Sequence, residues 1–304
     1  MTNQKQFIMK SIFYSCLFAF SLAFYGCSPE NDTIPETQIP EEITQENLVL
    51  VIEQVKRQAI GVDCPPRVID FNTDGQITEI NSCGSPLRTF FRDSDGLITG
   101  ITSVGSFGYD NGIWTSYSTA NDTAGSITTI TYDDNIMAFR STYNGQMSPN
   151  RNEFVFEDDT YQKILSMRSV DDSTGEVLYE HTTFTYSGNN ISTISQKTVD
   201  PITNELVPFV DHSFTYDDKI NPYKMGLPTN AGFAAYTPFL FWDGVAGIVW
   251  LAEHNVTERV FTHHVNGFTT TQVYEYEYNE ADYPIQMEES IGGELRYTQN
   301  FEYY

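Results

Sequence analysis

The chain has 304 residues and a formal net charge of −25, from 41 acidic and 16 basic side chains. Such acidity repels nucleic acid phosphates, so it excludes nucleic acid as a partner through broad surface contact. The composition is still 40% hydrophobic, with 19 Tyr and 21 Phe, and therefore predicts a folded chain.

The first segment of the chain has the layout of an export signal. Residues 1–26 contain two lysines near the start, Lys5 and Lys10, and continue with an uncharged run over 12–26. This run is shorter than the about 20 apolar residues that span a bilayer, and it fits a secretory signal peptide. Because Cys27 follows directly, the segment resembles a bacterial lipoprotein signal, although Phe24 and Tyr25 depart from the usual box. The resemblance implies that Cys27 is lipidated and begins the mature protein.

Two alternatives to lipidation stay open, a cleaved signal without lipid and a retained hydrophobic anchor. The segment 27–47 favours lipidation because it is rich in proline, threonine and acid, a composition typical of a flexible tether. Its residues Glu30 and Asp32 resemble the surface-export signal of Bacteroidota-type lipoproteins. The expectation is an outer-membrane lipoprotein of the cell envelope, exposed at the surface, with a single β-rich domain over 48–304.

The cysteines predict one disulfide. Cys16 lies in the predicted signal and Cys27 is assigned to the lipid, which leaves Cys64 and Cys83. An even pair in an exported protein indicates a disulfide more than a free thiol or a metal site.

One segment has helical periodicity. Within 44–61, helical spacing is followed by Leu48, Val51, Ile52, Val55 and Ala59. We therefore predict one short N-terminal helix that packs on the sheet or covers its first edge.

The rest of the chain repeats a phrase made of an aromatic residue, an Asp/Asn/Gly turn and a β-branched strand. Alternating β-branched and aromatic residues fit a half-buried strand, and the turn residues supply the positive φ angles of tight hairpins. The phrase predicts an all-β fold, a long antiparallel meander of hairpins in a curved or rolled sheet. The aromatic residues that open the phrase are Phe71, Phe91, Tyr132, Phe156, Tyr186, Tyr216 and Tyr278.

One of these phrases and a short segment after it carry a family resemblance. The sequence Tyr216–Tyr223 (YDDKINPY) is followed, after a non-repetitive insert over 224–253, by His254–Thr257 (HNVT). This pattern resembles the YD repeats of Rhs-type shells and, more closely, uncharacterised Bacteroidota-type surface lipoproteins built from such hairpins. The resemblance covers residues 65–304 and implies no particular activity.

The insert 224–253 is the candidate ligand-binding segment because its aromatic rings could stack on a sugar or an apolar ligand. The alternative, which we favour, is that it covers the sheet and completes its core. The candidate binding residues are Tyr236, Phe241, Trp242 and Trp250.

No catalytic residue, metal site or cofactor is predicted. The phrases at Asn72–Gly75 and Asp93–Gly96 lack the further ligands of a calcium loop and are predicted to be turns. The five histidines complete no metal motif, and the phosphate-binding and nucleophile-elbow motifs do not occur.

The leading functional hypothesis is a non-enzymatic surface lipoprotein that binds a glycan or another envelope protein, with the membrane as partner through its lipid. The alternatives are an envelope glycan hydrolase that uses acidic residues and a purely structural scaffold. A hydrolase requires two convergent carboxylates, and the sequence alone selects no pair.

Overall fold

The computed structural model describes residues 50, 52–119, 126–226, 233 and 252–304. The predicted signal, Cys27 and the predicted tether lie outside the described residues. Within the described ranges, no helix is long and apolar enough to cross a membrane. The elements are β1 Ile52–Ala59, β2 Arg67–Phe71, β3 Ile77–Ser82, β4 Ser85–Arg92, β5 Ile98–Ile101, β6 Gly105–Asp110, β7 Ile113–Thr119, β8 Ile127–Asp133, β9 Ile136–Tyr143, β10 Gln146–Met147, β11 Asn150–Phe156, β12 Ile164–Asp171, β13 Val177–Ser187, β14 Asn190–Val199, β15 Leu206–Ile220, α1 Pro222–Gly226, β16 His254–His263, β17 Phe268–Tyr278, β18 Pro284–Ile291 and β19 Glu294–Tyr303.

The sheet closes on itself as an antiparallel barrel of 18 strands. Each strand pairs with its neighbours in sequence, except that β9 pairs directly with β11 while the short β10 pairs with β9. The barrel closes because β1 pairs with both β2 and β19. The all-β antiparallel prediction is confirmed, but the prediction of a curved or rolled sheet is corrected. Closure satisfies the backbone groups that two free sheet edges would leave unpaired.

The predicted N-terminal helix is wrong, because the described part of that segment forms strand β1. Val55 pairs with Ile69 on β2 and with Phe301 on β19, and its side chain is fully buried. The spacing from Val55 to Ala59 fits one face of a helix, but it also places both residues on one face of a strand. The barrel supplies backbone hydrogen-bond partners on both sides of β1, and these partners stabilise the strand over the helix.

The two ends of the barrel differ. The end at which β1 begins also holds the turns after Phe71, Tyr132 and Tyr278, and we call it the lower end. The opposite end holds the loop between β1 and β2, and we call it the upper end. The predicted disulfide is confirmed there: Cys64 and Cys83 are bonded, with 5.2 Å between their Cα atoms.

Turns of the repeated phrase at the lower end are closed by side-chain hydrogen bonds. Asn72 Oδ1 accepts from the backbone N–H groups of Asp74 (3.1 Å) and Gln76 (2.9 Å). Gly75 completes this turn with a φ of 72°. Asp93 makes the equivalent bonds in the next such turn. Both phrases are therefore turns, as predicted, and the described residues contain no group of three or more metal-ligating side chains.

Three tyrosines of the phrase have a shared role inside the barrel. Tyr186 donates its hydroxyl hydrogen bond to the Ile164 carbonyl (3.0 Å), and Tyr216 donates to the Ile191 carbonyl (2.6 Å). Tyr132 donates to a carbonyl in the same way. Burial raises the pKa of each of these hydroxyls, so they stay protonated donors at neutral pH. Each of these three repeats thus packs a tyrosine ring in the core, and the tyrosine hydroxyl has a backbone carbonyl as its hydrogen-bond acceptor.

The insert begins and ends at the lower end, where asparagines hold its two stems together. Asn221 Nδ2 donates to the Ala252 carbonyl (2.9 Å), and Asn255 Nδ2 donates to the Ile220 carbonyl (3.0 Å). Asn190 Oδ1 accepts from the backbone of Glu253 (2.9 Å). These contacts explain why asparagines occur in the phrases on both sides of the insert.

Within the insert, Phe233 packs in the core of the barrel. Its side chain is 1% exposed, and its ring centroid lies 5.0 Å from that of Trp114 and 5.1 Å from that of Phe107. Both contacts have edge-to-face geometry, which aromatic pairs prefer. At this residue the insert therefore supplies part of the core.

We expect Phe233→Ala to lower the free energy of unfolding by about 3–5 kcal/mol, because it leaves a cavity among buried rings. The measurement is urea unfolding followed by tyrosine and tryptophan fluorescence. Phe91→Ala is the matched control, since Phe91 is 54% exposed. Equal losses in the two variants would contradict a core position for Phe233.

Candidate functional site at the upper end of the barrel

The side chains that face the barrel interior change from apolar to polar toward the upper end. On β1 the fully buried Val55 is followed by Arg57, and on β18 the buried Met287 is followed by Glu289. Alternate residues of a strand face the same side, so these polar groups lie inside the barrel. They belong to a set that we call the upper polar belt, consisting of Arg57, Arg67, His212, Arg259, Gln272, Glu289 and Gln299.

An inner cavity of about 90 Å³ lies between the belt and the lower core. Its volume gives room for a few water molecules or one small polar group. Its lower wall includes the two asparagines at the stems of the insert, so the position of the insert helps to shape it. The cavity is lined by Arg57, Phe214, Asn221, Tyr223, Asn255, Val256, Arg259, Gln272, Tyr274, Tyr276, Met287, Glu289, Gln299 and Phe301.

A larger pocket of about 400 Å³ lies above the belt, and we call it the mouth pocket. Its rim includes both cysteines of the disulfide, which joins the loop after β1 to the turn between β3 and β4. Arg57 lines both the mouth pocket and the inner cavity, so it stands between them. The mouth pocket is lined by Arg57, Gln58, Ala59, Val62, Cys64, Pro65, Arg67, Ser82, Cys83 and Tyr297.

Arg57 is held in place by a carboxylate and an aromatic ring. Its Nη2 lies 2.6 Å from Oε2 of Glu289, whose side chain is 4% exposed. The guanidinium carbon of Arg57 lies 4.0 Å from the ring centroid of Tyr297. Glu289 also accepts a hydrogen bond from Gln272 (3.2 Å). Removal of either charged partner would leave a buried charge uncompensated, which is strongly destabilising.

On the other side of the belt, Arg259 faces a neutral histidine. Arg259 donates from Nε and Nη2 to Nδ1 of His212, both at 3.2 Å. Desolvation and the neighbouring Arg259 charge lower the pKa of His212 to about 4. The ring is therefore neutral at pH 7, with Nδ1 as acceptor, and it serves as a hydrogen-bond partner for the guanidinium.

The predicted ligand-binding residues Tyr236, Phe241, Trp242 and Trp250 lie outside the described residues. The binding function of the insert therefore stays a prediction. In the described part of the chain, no group of three or more His, Cys, Asp and Glu side chains could hold a metal ion, and Glu289 is the one acidic residue that lines the two pockets.

The upper polar belt was not predicted from the sequence. Arg57 lay within the segment assigned to a helix, and Arg67 lay before the first repeated phrase. A signal was present, because Arg67, Ile69 and Phe71 alternate as inward residues of a strand. The alternation alone does not show that this face of the strand is the interior of a barrel, because that depends on closure of the sheet.

Comparisons with known proteins give structural similarities and no sequence family. No family model matches the chain, and no curated protein matches it. A porin-like protein from Bacteroides vulgatus is 9% identical, covers 84% of this chain and 99% of its own, and has a TM-score of 0.43. A porin-like protein from Bacteroides uniformis is 14% identical over 83% of this chain and 96% of its own, with a TM-score of 0.41. The solved structure TcdB2-TccC3-TEV is 13% identical over 81% of this chain but 14% of its own, with a TM-score of 0.22.

We expect the buried His212 to make the fold less stable as the pH falls from about 6.5 to about 4. The pKa of His212 is lowered to about 4 in the folded chain. It is about 6.5 in the unfolded chain, so the unfolded chain binds the proton first in this window. The stabilisation is present above pH 6.5 and is lost as the pH falls toward 4.

The measurement is urea unfolding at pH 7.5 and pH 5.0 for the native chain and His212→Gln. The variant should lose less stability than the native chain between the two pH values. Phe91→Ala is the control, because Phe91 is exposed and does not titrate, and it should keep the native pH dependence. An unchanged pH dependence in His212→Gln would contradict the buried neutral state of this ring.

Proposed function

We propose that this chain is a lipid-anchored, non-enzymatic binding protein of the cell envelope, with a glycan or an envelope protein as its ligand. The observation that carries the proposal is that the mouth pocket at the upper end and the inner cavity below it meet at Arg57 inside a closed barrel. A rigid sheet that encloses a polar pocket is a common arrangement for a ligand site.

The outer face of β13 to β15 supports a location in water beside the membrane. Thr185 pairs with Thr193, and Thr193 pairs with Ser213, on the outer face of β13 to β15. The adjacent residues Phe184 and Phe214 point inward and are buried. A barrel that spans a membrane has the opposite pattern, with an apolar band outside. Under the proposal, membrane contact is therefore made by the lipid on Cys27.

The alternative of a glycan hydrolase receives less support from the pockets. Hydrolysis by the usual mechanism uses two carboxylates on either side of the scissile bond. Glu289 is the one carboxylate that lines the two described pockets, and it is paired with Arg57. The alternative of a scaffold requires no enclosed polar pocket, so the pockets favour a binding role over it.

We expect Cys27→Ser to abolish attachment of the lipid and to release the chain from the membrane fraction. The measurement is metabolic labelling with a radioactive fatty acid, followed by partition into a detergent phase. Cys16→Ser is the matched control, because it changes a cysteine of the predicted signal and should leave labelling intact. Equal labelling of Cys27→Ser and the native chain would contradict the anchor.

We expect a soluble form of residues 28–304 to bind a glycan on an array, and Tyr297→Ala to weaken that binding at least about tenfold. Tyr297 lines the mouth pocket, whereas Tyr143, the control, is 57% exposed elsewhere. Trp242→Ala tests the insert as the alternative site. Loss of binding in Trp242→Ala alone would move the site to the insert, and no binding to any glycan or envelope protein would overturn the proposal.

A further inference from the structure

The mouth pocket concentrates positive charge in a chain that is strongly acidic. The net charge of −25 repels anions from most of the surface. Arg57 and Arg67 nevertheless both line the mouth pocket, and no acidic residue lines it with them. Glu289 reaches Arg57 from the inner cavity and therefore compensates one of these two charges.

The two arginines stand directly opposite each other on neighbouring strands. Arg57 on β1 is the register partner of Arg67 on β2. Side chains in this relation have Cβ atoms about 4.5–5.5 Å apart, and like charges there are destabilising. Arg88 on β4 adds to this arrangement, since burial and the charge of Arg67 lower its pKa. The positive charges therefore act on one another across the strands.

The hydrogen-bonding capacity of these two arginines is not filled by the described residues. Nε of Arg57 and Nε of Arg67 are buried and have no hydrogen-bond partner in the described ranges. Arg67 also makes no ion pair there. A guanidinium presents its N–H groups in a planar fork that fits carboxylate and phosphate oxygens. An anion between the two guanidinium groups would compensate the charge of Arg67 and relieve the mutual repulsion of the two arginines.

We propose that the mouth pocket binds an oxyanion group of the ligand, held between Arg57 and Arg67. This inference rests on the proposed binding function and specifies its ligand as acidic. The same chemistry is provided by the carboxylate of a sugar acid and by the phosphate of a sugar ester. Tyr297, which already packs against Arg57, forms the adjoining wall for the rest of the ligand.

The test is isothermal titration calorimetry of residues 28–304 with glucuronate, glucose 6-phosphate and glucose. The three sugars are compared at one ionic strength, and the titrations are then repeated at a higher sodium chloride concentration. We expect binding of at least one of the two acidic sugars and no binding of glucose. Affinity should fall as sodium chloride is raised, because the contact is between charges. The two acidic probes distinguish the carboxylate from the phosphate.

Arg67→Gln should weaken binding of the acidic sugar about tenfold or more, the loss expected for one charge-assisted contact. Arg296→Gln is the matched control, because Arg296 is an arginine with an exposed side chain paired to Glu294. Thermal unfolding without ligand checks the fold, and Arg67→Gln should unfold at the native temperature or higher since it removes a like-charge pair. Arg67→Lys should recover part of the affinity.

Four outcomes would overturn the inference. The first is binding of glucose as tight as that of the acidic sugars, and the second is acidic-sugar binding that Arg67→Gln leaves unchanged. The other two also decide whether the proposed function survives. Binding of a neutral glycan on the array, together with failure of both acidic probes, removes the anion site but leaves the proposed function intact. Failure of every glycan and protein ligand removes both.

Discussion

The structure depends on the pairing of β1 with β19, which closes the barrel. This pairing brings residues from the two ends of the described domain side by side, such as Val55 with Phe301 and Arg57 with Gln299. It also brings Glu289 within 2.6 Å of Arg57, although they are 232 residues apart in sequence. Closure fixes which face of every strand points inward, because a shift of one residue would turn each side chain to the other face. The core, the outer face and the polar belt all follow from it.

The interior is divided between two kinds of packing. In the lower part, buried tyrosines, phenylalanines and Trp114 supply the apolar burial that drives folding, and the tyrosine hydroxyls bond to backbone carbonyls. In the upper part, Arg57, Glu289 and Arg259 occupy positions that apolar side chains could fill. Buried ion pairs contribute little to stability compared with such packing. Under the proposed function, the polar belt gives up part of this packing in order to form a ligand site.

Much of the fold could be predicted from local patterns, and the rest depended on contacts distant in sequence. The hairpin turns at Asn72 and Asp93 have short-range causes, since one side-chain oxygen closes each turn. The Cys64–Cys83 disulfide was also predictable, because the chain was expected to be exported and these were the two cysteines left to pair. Strand β1 was not, because its spacing suits both a helix and a strand and its partner β19 lies at the other end of the chain. For the same reason the sequence placed the candidate site in the aromatic insert. That Arg57 and Arg67 line one pocket follows only from closure of the barrel.

The two ends of the barrel carry different parts of the chain. The polypeptide enters the barrel at Ile52 on the lower end, and the stems of the insert lie at that same end. The mouth pocket and its disulfide rim lie at the opposite end. The point at which the described chain enters the barrel and the rim of the mouth pocket are therefore separated by the full height of the strands, so that neither the strand end near Ile52 nor the stems of the insert border the pocket.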